Sequence, residues 1–125
     1  MLASMLIMAC RSHEADDEAI RRAVDALPPP PTALREGEAL FAANCARCHG
    51  RAGGGSPQGP PLAHRVYEPS HHADAAFHLA VRRGVVAHHW RFGDMPAQPQ
   101  LTDEQVTQIV AYVRWVQRGV GVGID

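Results

Sequence analysis

The chain has 125 residues, of which 46% are hydrophobic and 20% are charged, proportions typical of a globular domain rather than of a disordered or membrane-spanning chain. All of the basic residues are arginines, and 12 of them against 13 acidic residues give a net charge of −1. This balance argues against a nucleic-acid partner, which would select a basic surface.

The first element is a short apolar segment, residues 1–9, which ends at Cys10. It is far shorter than the roughly 20 residues that cross a bilayer. The stretch Ile7-Met8-Ala9-Cys10 resembles the lipobox of bacterial lipoproteins, which predicts that Cys10 is acylated and anchors the chain to a membrane. The alternative is an ordinary secretory signal with Cys10 incidental. Both readings predict export, and the periplasm is the expected location.

Residues 10–32 are expected to form a tether. The segment is polar and acidic, although Ile20, Val24 and Leu27 follow helical spacing. It ends in four prolines, Pro28–Pro31, which favour a stiff extended linker. We therefore place the start of the folded domain near Thr32, so that the domain comprises residues 33–125.

Three helices are predicted within that domain. The first extends from about Thr32 to Ala46, and the second from Asp74, as its N-cap, to a stop at Gly84. The third begins with a capping box and should end near Arg118. Its apolar stripe is the clearest in the chain and consists of Val106, Ile109, Val110, Val113 and Val116.

Two long irregular segments, about 50–73 and 85–101, separate the helices. Loops of this length are uncommon in a small domain. Three short helices also bury little apolar area for a chain of this size. A large apolar cofactor enclosed by the loops would resolve both difficulties.

The segment Cys45-Ala46-Arg47-Cys48-His49 indicates which cofactor that is. Two thiols at this spacing can each form a thioether to one vinyl group of a haem, and the adjacent imidazole then ligates the iron. A thioredoxin-like redox pair would require a βαβ unit, which the sequence does not contain. A zinc site would require two further ligands, and there is no second cysteine pair. The eight histidines keep zinc open as an alternative.

A second axial ligand is needed if the iron is to carry electrons. We favour Met95, because a methionine followed by proline in a polar loop is poorly placed for a core. The pairs His71-His72 and His88-His89 could supply a bis-His iron or an accessory copper site, although adjacent histidines more often face solvent or a haem edge. The rival ligands are His64, His71, His72, His78, His88 and His89.

Together these features make residues 33–118 resemble a class I c-type cytochrome, the small monohaem electron carriers. The matching segments occur in the order of that family: Gly37 and Phe41, the CARCH segment, Gly59-Pro60-Pro61-Leu62, Met95-Pro96, and the final helix. The resemblance implies an all-α, cytochrome c-like fold wrapped around one covalently bound haem c. It also implies that the first and last helices cross at Gly37, with Phe41 against Tyr112 or Trp115.

The resemblance further implies the surroundings of the iron. The Nδ1 proton of His49 should be donated to a backbone carbonyl, that of Pro60, which would fix the ring. Leu62 should pack on the haem face. Trp90 should either donate its indole N–H to a haem propionate or serve in packing.

The function that follows is electron transfer, not enzymatic catalysis. An iron with both His49 and Met95 bound has no vacant site, and thioether ligation raises its potential. The expected partners are redox proteins such as a membrane dehydrogenase or oxidase complex, and the chain is expected to be a monomer. The alternatives are a haem enzyme or gas sensor with a displaceable sixth ligand, and a His-rich metal-binding lipoprotein.

Overall fold

The computed structural model describes the backbone of residues 2–123 and the side chains of residues 13–123. The helices in this range are α1 (Leu2–Asp25), α2 (Arg35–Asn44), α3 (Ala46–His49), α4 (Asp74–Arg83) and α5 (Asp103–Gly119). Short 3₁₀ turns lie at Thr32–Leu34, Arg51–Gly53 and Arg65–Tyr67. The described range contains no strand, only the isolated bridges Ser56–Gly59 and Val85–Met95. The expectation of an all-α fold is confirmed.

Helix α5 supplies most of the core and begins as the sequence predicted. Thr102 accepts a hydrogen bond from the backbone N–H of Gln105, and the Gln105 side chain accepts one from the backbone N–H of Thr102. This reciprocal cap satisfies two amides that the first turn leaves unpaired. The apolar stripe behind it is buried from Val106 to Val116.

Helices α2 and α5 cross where α2 carries Gly37. A Cβ atom at this position would lie 2.2 Å from the carbonyl oxygen of Gln108, so only glycine permits the observed approach. Phe41, one turn further on, is buried against Tyr112 with ring centroids 5.7 Å apart. Both features agree with the crossing expected from the resemblance.

The segment expected to be a tether packs partly against the domain instead. Residues 2–25 form one helix, α1, and its Val24 is only 2% exposed within the main hydrophobic core. Ile20 and Leu27 pack beside it, and Arg51 pairs with Asp25 at 2.6 Å. The helical spacing of Ile20, Val24 and Leu27 indicated this packing. A helix with one apolar face is stabilised by burying that face, even when the residues between are polar.

Two further boundaries differ from expectation. The first predicted helix is divided into a 3₁₀ turn, α2 and α3, with Cys45 at the break. Asp74 is the first residue of α4 rather than its cap, which is Ala73. The Asp74 carboxylate instead accepts a hydrogen bond of 2.8 Å from Arg114 on α5, so it joins the two helices.

No helix of the described residues is sufficiently long and apolar to cross a membrane. The backbone of Cys10 belongs to α1. The predicted acylation of Cys10 concerns a side chain that lies outside the described ones, and Met1 of the predicted signal segment lies outside the described backbone.

Candidate functional site

A largely apolar cavity lies among the helices of the described structure. Its volume is about 410 Å³, and its walls come from α2, α3, α4, α5 and the segments on both sides of α4. Every residue that the sequence singled out for the cofactor lies on these walls: Cys45, Cys48, His49, Pro60, Leu62, Trp90 and Met95. The remaining lining is mostly apolar and includes Phe41, Phe77, Ile109 and Val113.

The two cysteines lie at the break between α2 and α3. The backbone N–H of Cys45 still bonds to Phe41 of α2, while Cys48 lies within the single turn of α3. Both thiols are free, with Cys45 half-buried and Cys48 exposed. Burial, and to a smaller extent the neighbouring Cys48, raises the pKa of Cys45 to about 11. The two cysteines lie on consecutive turns of the backbone and border the same cavity.

His49 is held in one orientation by the loop that follows it. Its Nδ1 lies 2.9 Å from the carbonyl oxygen of Pro60, the hydrogen bond that the resemblance implied. Because Nδ1–H donates there, Nε2 keeps a free lone pair, as a metal-ligating histidine requires. Burial lowers the pKa of His49 more than the Pro60 hydrogen bond raises it, which favours the neutral, ligating form.

The Pro60 carbonyl is itself positioned by a tight loop. The hydroxyl of Ser56 donates to the carbonyl of Cys48 at 2.6 Å. A Cβ atom on Gly59 would lie 2.6 Å from that same carbonyl oxygen. The glycine therefore lets residues 56–60 lie directly against α3, which brings Pro60 to the imidazole.

Met95 is placed on the cavity wall by a short backbone pairing. Its N–H and carbonyl both bond to Val85, at 2.9 Å each. Gly84, with a φ of +73°, ends α4 and passes so close that a Cβ atom there would lie 2.5 Å from the Met95 carbonyl oxygen. The Met95 side chain is half-buried. A thioether is thus held in the same cavity as the free nitrogen of His49.

Trp90 packs and hydrogen-bonds within the protein. Its indole N–H donates to the Tyr67 hydroxyl at 2.9 Å, so the only donor of the side chain is occupied within the protein. His64 packs edge-on against the same indole, with centroids 5.1 Å apart. Donation by Trp90 to a haem propionate stays a prediction. Tyr67 is a cavity residue that sequence reasoning missed, because one tyrosine in an aperiodic loop carries no pattern.

Four histidines that are distant in sequence come together at the cavity, and His72, His88 and His89 lie on its wall. His71 and His72 precede α4, and His88 and His89 follow it, yet Nε2 of His71 lies 3.4 Å from Nε2 of His89. Partial desolvation beside the cluster, and then the charges of the three neighbouring imidazoles, lower the pKa of His89, although its side chain is exposed. The sequence showed two pairs but could not show that they meet.

The donor set and the cavity fit a haem. The walls are mostly apolar, two free thiols border them, and a half-buried imidazole with a free nitrogen and a methionine thioether share the same space. These are the attachment and ligand groups used by covalently bound haem. The class of protein defined by the fold and the site is an all-α protein built around a covalent haem.

The family follows from comparison with known proteins. The family model described as Cytochrome c matches residues 34–117, about two thirds of the chain, and the chain therefore belongs to the cytochrome c family. Members of this family bind covalently attached haem c with its iron. The chain is accordingly a haem-binding electron-transfer cytochrome. No curated protein and no solved structure matched it.

Proposed function

We propose that this chain is a monohaem class I c-type cytochrome that carries single electrons between redox partners, with His49 and Met95 as axial ligands. The observation that supports it best is the placement of both groups on one apolar cavity bordered by Cys45 and Cys48. Histidine and methionine together favour the ferrous state and leave no open position for a small ligand.

The haem supplies a one-electron iron couple, and the protein supplies attachment, ligands and exclusion of water. Cys45 and Cys48 provide the two sulfurs for thioether bonds. The Pro60 carbonyl orients His49 and keeps its Nε2 unprotonated. Leu62 and Phe41 line the cavity, so the iron lies in a low-dielectric shell, which favours the less charged, reduced form.

The proposed location is the periplasm, with the chain anchored to a membrane through acylated Cys10. The apolar run before Cys10 and the need for covalent haem attachment outside the bacterial cytoplasm support the same location independently. The proposed partners are redox proteins, including a membrane dehydrogenase or oxidase complex. Contacts of this kind are usually small and transient.

The ligation proposal is tested by Met95→Ala. The ferric native protein should show the weak long-wavelength absorption of sulfur bound to iron and should not bind carbon monoxide once reduced. In Met95→Ala that absorption should vanish, and carbon monoxide should bind because one coordination position is open. Arg91→Ala, which changes an exposed residue of the same segment outside the cavity lining, should behave as the native protein. Ready binding of carbon monoxide by the native protein would instead indicate a haem enzyme or gas sensor.

Attachment and anchoring are tested by intact-mass spectrometry of the mature protein. The proposal requires the mass of one haem on the chain and a triacyl group on an N-terminal Cys10. Cys45→Ala combined with Cys48→Ala should remove the haem mass and leave the acyl mass unchanged. A mature chain that still contains residues 1–9, or that begins elsewhere without lipid, would refute the anchor without affecting the haem assignment.

A further inference from the structure

The histidine cluster formed by His71, His72 and His89 has the composition of a metal site. One ring nitrogen of each residue lies within 4.8 Å of the other two. The group contains no carboxylate, so it does not suit Mg²⁺ or Ca²⁺, which prefer oxygen ligands. Imidazole nitrogen suits zinc and copper.

The closest approach in the cluster is compatible with a tetrahedral zinc ion. The Nε2 atoms of His71 and His89 are 3.4 Å apart. This is longer than the about 2.9–3.0 Å typical of a hydrogen bond donated by N–H. It matches the edge of a tetrahedron with metal–nitrogen bonds of about 2.0–2.1 Å, which is roughly 3.3–3.4 Å. Adjacent nitrogens of a square-planar Cu²⁺ site would lie about 2.8 Å apart.

The third histidine is already oriented as a ligand. His72 Nδ1 lies 2.5 Å from the carbonyl oxygen of Val66, and Nδ1–H donates to it, which leaves Nε2 with a free lone pair. Metal-bound histidines commonly donate their other ring N–H to a backbone carbonyl in this way. The exposed side chains of His71 and His89 can rotate to complete the site.

We propose that His71, His72 and His89 bind one Zn²⁺ ion, with the fourth tetrahedral position open to solvent. The ligands come from both sides of α4: His71 and His72 from the turn before it, and His89 from the segment after it that leads to Met95. A bound ion would therefore fasten the Met95 segment to the rest of the cavity wall. His72 and His89 also lie on the wall of the haem cavity, so the ion would be held at the edge of that cavity.

The proposal is tested by calorimetric titration of the full-length haem protein with ZnCl₂. The native protein should bind one Zn²⁺ per chain. His71→Asn and His89→Asn should each weaken binding at least tenfold, whereas His13→Asn, an exposed histidine on α1, should leave it unchanged. Zinc-edge X-ray absorption should report three imidazole nitrogens at about 2.0 Å.

Three results would overturn the proposal. The first is native binding no tighter than that of the His71→Asn/His89→Asn double variant. The second is an equal loss in His13→Asn, which would indicate nonspecific binding. The third is a loss in His88→Asn as complete as in His89→Asn, which would indicate a different ligand set. The visible spectrum of the haem, recorded in each titration, reports the iron ligands separately, so failure of the His49 and Met95 assignment would be recognised independently.

Discussion

Arg114 brings a positive charge into the interior, with only 8% of its side chain exposed. Its guanidinium donates to the carbonyl oxygens of Tyr67 and His72 and to the side chains of Asp74 and Gln117, at 2.5 to 2.8 Å. It also lies over the ring of Phe77, 4.9 Å from the centroid. One side chain thus donates hydrogen bonds to two backbone carbonyls in the segment before α4.

We expect Arg114→Met to lower the free energy of unfolding by about 3 kcal/mol, because carbonyl groups in that turn lose a charged donor. Guanidinium denaturation of the haem protein measures this value. Arg118→Met, which removes an exposed arginine one turn later, should change stability by less than about 0.5 kcal/mol. Equal effects at the two positions would mean that the buried network of Arg114 contributes no more to the free energy of unfolding than an exposed arginine does.

The contact between α2 and α5 depends on a missing side chain. Gly37→Ala should destabilise the protein by about 2–3 kcal/mol, because the new methyl group would overlap the Gln108 carbonyl unless the helices separate. Thermal unfolding followed by circular dichroism measures the loss. Glu36→Ala, at the adjacent exposed position, is the matched control and should be nearly neutral. A stable Gly37→Ala variant would show that the crossing can widen without cost.

The helices differ in how well the sequence predicted them. Helix α5 carries both a capping box and a continuous apolar stripe, so its position was predicted to within one residue at each end. For residues 20–27 the sequence showed the helical spacing of the apolar residues. It did not show the core against which they pack, since burial of Val24 depends on contacts with distant residues. The role of Asp74 was missed for the same reason, because its partner Arg114 is 40 residues away.

The sequence predicted the site residues that lie close together in the chain. Cys45, Cys48 and His49 lie in one short segment, and their spacing favoured a haem over a redox pair or a zinc site, which the eight histidines kept open. The loop that supplies Pro60 came from the family resemblance. The Trp90–Tyr67 bond joins residues 23 positions apart and the His71–His89 contact joins residues 18 positions apart, and nothing in the intervening sequence specifies either contact.

At the scale of the whole molecule, the cavity of about 410 Å³ means that the chain alone leaves its centre unfilled. Cys45→Ala combined with Cys48→Ala should therefore give a protein without bound haem that is expanded and unfolds without a cooperative transition. Size-exclusion chromatography and near-ultraviolet circular dichroism measure these properties. Arg47→Ala, between the two cysteines, should retain both haem and compactness. A compact, colourless double variant would contradict the view that the cofactor completes the core.

The packing of α1 limits how far an anchored domain could travel. A flexible tether over residues 10–32 could extend to roughly 70 Å. In the structure only residues 11–19 separate the proposed lipid on Cys10 from Ile20, the first packed residue, and they are helical. The helical rise from Cys10 to Ile20 is about 15 Å. A lipid on Cys10 would thus hold the haem domain on a short rigid stalk, so that it meets partners within the same bilayer by lateral diffusion rather than by searching the space above it.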